Sequence, residues 1–194
     1  MSTFKKVRFC RRVYISFSIL LGLFSPLYCW YMFPSFNPFL DPLSKFGVQE
    51  STWIMWDLTL FILSIAIFLN SKHAIKYRFK NILTIFFLRS LVIISSISLI
   101  LVAVISIDIN EDLHYWLAFL YFAVYNFYVF IFGLIRMYKD IRKGFFSVVM
   151  GSLMLLSTLL LIPFQGMGIF EITYASLVMF WNLVIFIKRI KRVG

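Results

Sequence analysis

Six stretches of the chain carry at most one charge: residues 13–33, 53–69, 90–107, 114–135, 145–164 and 169–187. Each is close to the roughly 20 residues that an α-helix needs to cross about 30 Å of hydrocarbon. Asp57 and Glu171 are the two charges inside them. The stretches do not alternate polar with apolar residues, so they do not read as the strands of a membrane β-barrel. The pattern predicts an all-α integral membrane protein, a bundle of six transmembrane helices forming a single membrane domain over residues 1–194.

Composition removes the alternative of a soluble domain. Hydrophobic residues make up 62% of the 194 residues and charged residues 14%, with a mean hydropathy of +0.92. A soluble fold of this length has no interior large enough for that much apolar surface. The basic KKVRFCRR before the first stretch resembles a signal-peptide start. The stretch is too long for a signal core, and no small-x-small cleavage site follows. Residues 13–33 are therefore expected to stay as an anchor. Cys10 and Cys29 sit at opposite ends of that one helix, which rules out a disulfide between them.

Charge then orients the bundle. Lys5, Lys6, Arg8, Arg11 and Arg12 precede the first span; Lys72, Lys76, Arg78 and Lys80 separate the second from the third. Arg136, Lys139, Arg142 and Lys143 separate the fourth from the fifth, and Lys188, Arg189, Lys191 and Arg192 close the chain. All four groups lie on one side, which the positive-inside rule assigns to the cytoplasm, together with both termini. The net charge of +11 is thus accounted for by topology and by attraction to anionic lipid heads, not by nucleic acid.

The acids gather on the other side. Residues 106–116, SIDINEDLHYW, hold Asp108, Glu111 and Asp112 just before His114. Helix N-termini favour acids and capping side chains there. Ser51 and Thr52 are the expected caps of span two, and Asn110 or Asp112 of span four. Trp30, Trp53, Trp56, Trp116, Tyr31 and Tyr115 are expected to form an outer aromatic belt.

Some polar residues exceed what capping needs. Asp57 lies one turn inside span two, where an unpaired carboxylate at mid-helix depth costs roughly 2.5–3.5 kcal/mol. Its face continues to Ser64. His114, Tyr121, Tyr125 and Tyr128 share one face of span four; Glu171, Tyr174, Val178 and Asn182 share one face of span six. Spans two, four and six all enter from outside. They are expected to adjoin around a polar crevice open to the outer face, with Asp57, Asp108, His114, Tyr121, Glu171 and Tyr174 as candidate ligand-binding residues.

The chemistry of this set stays open between binding and catalysis. A carboxylate near a histidine suits proton transfer, and Ser44, Ser51 or Ser106 are candidate nucleophiles. No G-x-S-x-G, H-E-x-x-H or P-loop pattern is present. His114 is the one histidine on this side, a poor basis for a metal site, and no cofactor is expected.

The first outer loop, residues 34–52, combines Pro34, Pro38 and Pro42 with Phe36, Phe39 and Phe46. It is expected to fold as an apolar cap on the helix ends. Pro26 is expected to kink span one, and Gly144, Ser147 and Gly151 to give span five a close-packing face.

Three elements taken together, LSKFG at 43–47, DINEDLH at 108–114 and Glu171 at the start of span six, resemble a bacterial and archaeal six-span membrane family labelled "domain of unknown function 998". That family is similar to eukaryotic membrane proteins that include the damage-regulated autophagy modulators. The resemblance covers about residues 34–182. It departs at Asp57, where asparagine is expected, and in the lack of an arginine after Glu171. It implies six helices, an outer polar site and a bacterial or archaeal cytoplasmic membrane, and it supplies no reaction. Binding of a lipid or small amphiphile in the outer-leaflet crevice is the leading expectation. The alternatives are a membrane-embedded hydrolase or transferase acting on lipid, with His114 and Asp57 or Glu171, and a small carrier or proton-coupled transport subunit. Membrane lipids are the expected partners, with a second copy of the chain or another membrane protein.

Overall fold

The computed structural model describes residues 3–163 and 167–190, with side chains for 9–163 and 167–188. The side chains of Lys5, Lys6, Arg8, Arg189, Lys191 and Arg192 in the basic clusters, and of Phe164 closing the fifth stretch, lie outside the described residues. Six α-helices follow one another: α1 (Thr3–Met32), α2 (Trp53–Arg78), α3 (Ile82–Val104), α4 (Glu111–Lys139), α5 (Ile141–Leu156) and α6 (Gly168–Ile190). Short 3₁₀ helices occupy Leu43–Gly47 and Ser157–Leu161, the second extending α5. All six helices are long and apolar enough to cross a membrane once that extension is counted. No strand occurs among the described residues.

The helices overrun the charge-free stretches. α2 carries Lys72, Lys76 and Arg78 in its last turns, and α3 begins eight residues earlier than expected, with Arg89 well inside it. The physical reason is that a helix does not end where hydrocarbon ends. Backbone hydrogen bonds continue to form, and lysine and arginine near the C-terminus are favoured by the helix dipole. Helix starts are set instead by capping residues. Asn81 Oδ1 accepts from the N–H groups of Leu83 and Thr84 to start α3. Asn110 Oδ1 accepts from Leu113 N–H at 3.0 Å to start α4, and Asp140 from Arg142 N–H to start α5. Thr52 holds the N-cap position of α2, but neither Ser51 nor Thr52 caps the helix with its side chain. Their hydroxyls donate to the carbonyls of Met32 and Phe46 and tie the outer loop together. α1 continues through Pro26.

Successive helices pack side by side, and α6 returns against α1, α2 and α5. α4 and α5 approach closely through glycine. A β-carbon on Gly133 would lie 2.6 Å from Val148 N, and one on Gly151 2.9 Å from Phe130 Cα. The small-residue face of α5 therefore meets α4, and Ser147 Oγ accepts from Trp181 Nε1 of α6 at 3.1 Å.

The first outer loop is folded. Phe36 packs on Phe46 with tilted rings 4.4 Å apart and Phe46 meets Trp56 edge-on at 5.4 Å, in a cluster with buried Cys29 and Leu43. Trp56 thus turns inward, while Trp30, Trp53 and Trp116 remain exposed in the manner of a belt. Phe39 is also exposed. At the start of α6, Gly168 is pressed so closely on the loop that a β-carbon would sit 2.2 Å from Asp41 O. The loop is clamped between α2 and α6, and this holds the Leu43–Gly47 helix over the bundle's outer end.

Candidate functional site

Beneath that 3₁₀ helix lies a cavity of about 100 Å³, several times the ~10–15 Å³ that one water needs. Its walls come from regular helical faces. α2 supplies Trp56, Leu60, Leu63 and Ile67; α4 supplies His114, Ala118, Tyr121 and Phe122. α6 supplies Glu171, Tyr174, Ala175, Val178 and Met179, and α3 adds Leu99 and Val102. Each set repeats at three and four residues, so each is one side of its helix. Leu43 and Ser44 complete the outer end.

The polar groups concentrate at that outer end. Glu171 is buried, and its Oε2 accepts from Leu43 N–H. The carboxylate therefore reaches across to the cap and does not fold back onto its own helix. His114 is buried, with Nδ1 2.6 Å from the carbonyl of Ile105. A carbonyl accepts, so Nδ1 carries the hydrogen, and in the neutral ring Nε2 keeps its lone pair. Ser44 Oγ is buried without a hydrogen-bond partner. Deeper in, Tyr121 stacks on Tyr125, and Tyr174 donates to the carbonyl of Phe122 at 2.8 Å. Below the cavity, Asn182 Nδ2 donates to Tyr125 Oη at 2.7 Å, and Asn70 Nδ2 donates to Asn182 Oδ1 at 3.1 Å. These bonds link α2, α4 and α6 through their side chains.

Of the six residues the sequence singled out, the fold brings together His114, Tyr121, Glu171 and Tyr174. Asp57 and Asp108 do not line the cavity. Asp57 follows Trp56 by one residue, which rotates it by about 100° away from the cavity face. Its carboxylate rests against Gly47, where a β-carbon would be 3.0 Å from Oδ1. Asp108 is exposed in the turn before α4. Glu111 and Asp112 are exposed in the first turn of α4, where the helix dipole favours them. Most of the acidic cluster therefore serves the end of the helix, and His114 alone turns inward from it. The crevice also differs in shape from expectation, because the cap contributes its outer end. Sequence reasoning overlooked the stripe Trp56–Leu60–Leu63–Ile67. α2 is apolar nearly all round, so its inward side had no contrast to mark it.

His73, the other histidine, lies on the inner part of α2 against Tyr77. No three histidine, cysteine or acidic side chains gather as a metal-ligand set among the described residues.

A family model described as "Protein of unknown function (DUF998)" matches residues 17–188. The chain belongs to this family. No curated protein and no solved structure matches it. The match runs from within α1 to near the end of α6 and takes in the capped cavity, and with its six apolar helices this DUF998 member is a multi-pass membrane protein of an uncharacterised family.

Proposed function

We propose that this protein binds a lipid or other small amphiphile, one chain at a time, in the cavity beneath the outer cap, in a bacterial or archaeal cytoplasmic membrane. The observation that carries the reading is the cavity's polarity. One end presents Glu171, His114 and Ser44, and the rest is walled by aliphatic and aromatic side chains from four helices. Such a space suits a molecule with one polar end and one hydrocarbon end. The test is purification in mild detergent followed by mass analysis of retained amphiphiles. The native protein should retain one through size exclusion. Ala118→Phe, which fills the space from the α4 wall, should keep its helical content and lose the ligand. Equal retention by both would overturn the reading.

A second reading, a membrane-embedded hydrolase or transferase, draws on Ser44, His114 and Glu171 lining one cavity. With Nδ1 held by Ile105, Nε2 is the nitrogen left for proton transfer. An activity-based fluorophosphonate should then label Ser44, and Ser44→Ala should abolish the label. Absence of labelling would leave binding without catalysis.

A further inference from the structure

The cavity's outer end is rich in acceptors and poor in fixed positive charge. Glu171 is buried, with one backbone donor on Oε2 and no donor on its other oxygen among the described residues. His114 has Nδ1 committed to Ile105, which leaves Nε2, an acceptor in the neutral ring, as its open nitrogen. Ser44, nine-tenths buried, has an unpartnered Oγ. No lysine or arginine lines the space. Lys45, next in sequence to Ser44, is turned outward and paired with Asp41.

A carboxylate taken out of water without a cation is costly. The helices could have avoided that cost with a glutamine, or offset it with a lysine, and they do neither. A ligand that brings a positive charge would offset that cost. A primary ammonium carries three N–H donors and no acceptor, the complement of three open acceptors. Hydrogen bonds from an ammonium to a carboxylate are charge-assisted and strong. Trp56, Tyr121 and Phe122 add aromatic faces to the wall, and such faces attract cations. A carboxylate head, or a phosphate head without an amine, would meet Glu171 with like charge and find no cationic side chain. A quaternary ammonium would supply charge but no donors.

Building on amphiphile binding as proposed above, we infer that the cavity selects a head group that is a primary ammonium, held by Glu171, His114 and Ser44, with its hydrocarbon chain running inward along α2 and α6. The head could belong to a free alkylamine or to a membrane aminophospholipid, and the same chemistry recognises both.

The experiment is a competition. The detergent-solubilised full chain is mixed with equal amounts of dodecylamine, dodecyltrimethylammonium, dodecanoate and a lysophosphatidylethanolamine, and bound adducts are read by native mass spectrometry. Primary amines should be retained over dodecanoate by about tenfold or more. In Glu171→Gln, whose amide oxygen can still accept from Leu43, that preference should fall to within about twofold. Ser44→Ala should reduce it by about fivefold; if Glu171→Gln does not fold, this variant decides. Dominance of dodecylamine or of the lysophospholipid supports the inference and tells the two sources apart. Retention of the quaternary ammonium as strongly as the primary amine would overturn the assignment. Equal retention of all four heads would also overturn it while leaving amphiphile binding intact. Retention of none would remove both.

Discussion

Gly144 gives the sharpest test of the packing. Its missing side chain faces the backbone of α4: a β-carbon would lie 2.2 Å from Met137 N and 2.3 Å from Gly133 O. Ordinary contact begins near 3.4 Å, so Gly144→Ala must push α5 away from α4 by about 1.2 Å. Backbone atoms cannot rotate aside, so the penalty belongs at the upper end of the ~1–3 kcal/mol typical of overpacking. Alanine's better helix propensity returns about 1 kcal/mol. The net expectation is destabilisation by roughly 1–2 kcal/mol. Gly22→Ala is the internal control. Its β-carbon would meet Leu63 Cδ2 at 2.9 Å and Met179 Sδ at 3.0 Å, the far ends of flexible side chains. There the propensity gain should roughly cancel the crowding and leave stability within about 0.5 kcal/mol of native. Reversible unfolding in mixed micelles, followed by circular dichroism, measures both. Gly144→Ala as stable as the native protein, or no more harmful than Gly22→Ala, would refute the reasoning that the glycine seam sets the α4–α5 distance.

Gly151→Leu, at the same seam against Phe130, should also destabilise, by roughly 1–3 kcal/mol in the same assay. Asn182→Leu removes the partner of both Asn70 and Tyr125 and should cost about 1 kcal/mol; strict additivity with Asn70→Ala would show that the pair is not coupled. Single cysteines at exposed Ser35 and Asp108 should react with an impermeant thiol reagent in intact cells. A cysteine at exposed Lys80 should not; Ser71, at the same end, is unsuitable because it is fully buried. The reverse labelling pattern would invert the topology. For Asp41, burial alone would raise the carboxyl's pKa, but the Asn37 N–H and the Lys45 ammonium outweigh it and hold it below the ordinary value. A depressed folded value means that this contribution to loop docking is present above the unfolded pKa of about 3.9. It is lost as pH falls through the folded value. Protection of the Asn37 amide against exchange, relative to its intrinsic rate, should fall over that range, since its N–H donates to Asp41 Oδ2, and Asp41→Asn should remove the pH dependence of that protection.

Much of this protein could be read without coordinates because the bilayer imposes its demands locally. Every backbone group in hydrocarbon must be satisfied within its own segment, so six apolar stretches are enough to declare six helices. The basic clusters give them an expected orientation, and the proline- and phenylalanine-rich composition of 34–52 announces a folded loop. Asn110 was legible as a cap because capping is a relation between neighbours in sequence. The facing of α4 and α6 was legible too: their polar residues recur at helical spacing and stand out against an apolar background.

What the tertiary structure alone decided is how those faces meet. Nothing local distinguishes Asp57 from Trp56 as the inward residue of α2, because one residue is about 100° of rotation and only packing against α1, α3 and α6 selects the angle. The reach of Glu171 to Leu43 N–H spans 128 residues and depends on a loop clamped between two helices. The bond from His114 to Ile105 depends on how the turn at 106–109 folds back. A helix in lipid forms by itself, whereas a site between helices exists only where their side chains interlock, and that choice belongs to the bundle as a whole.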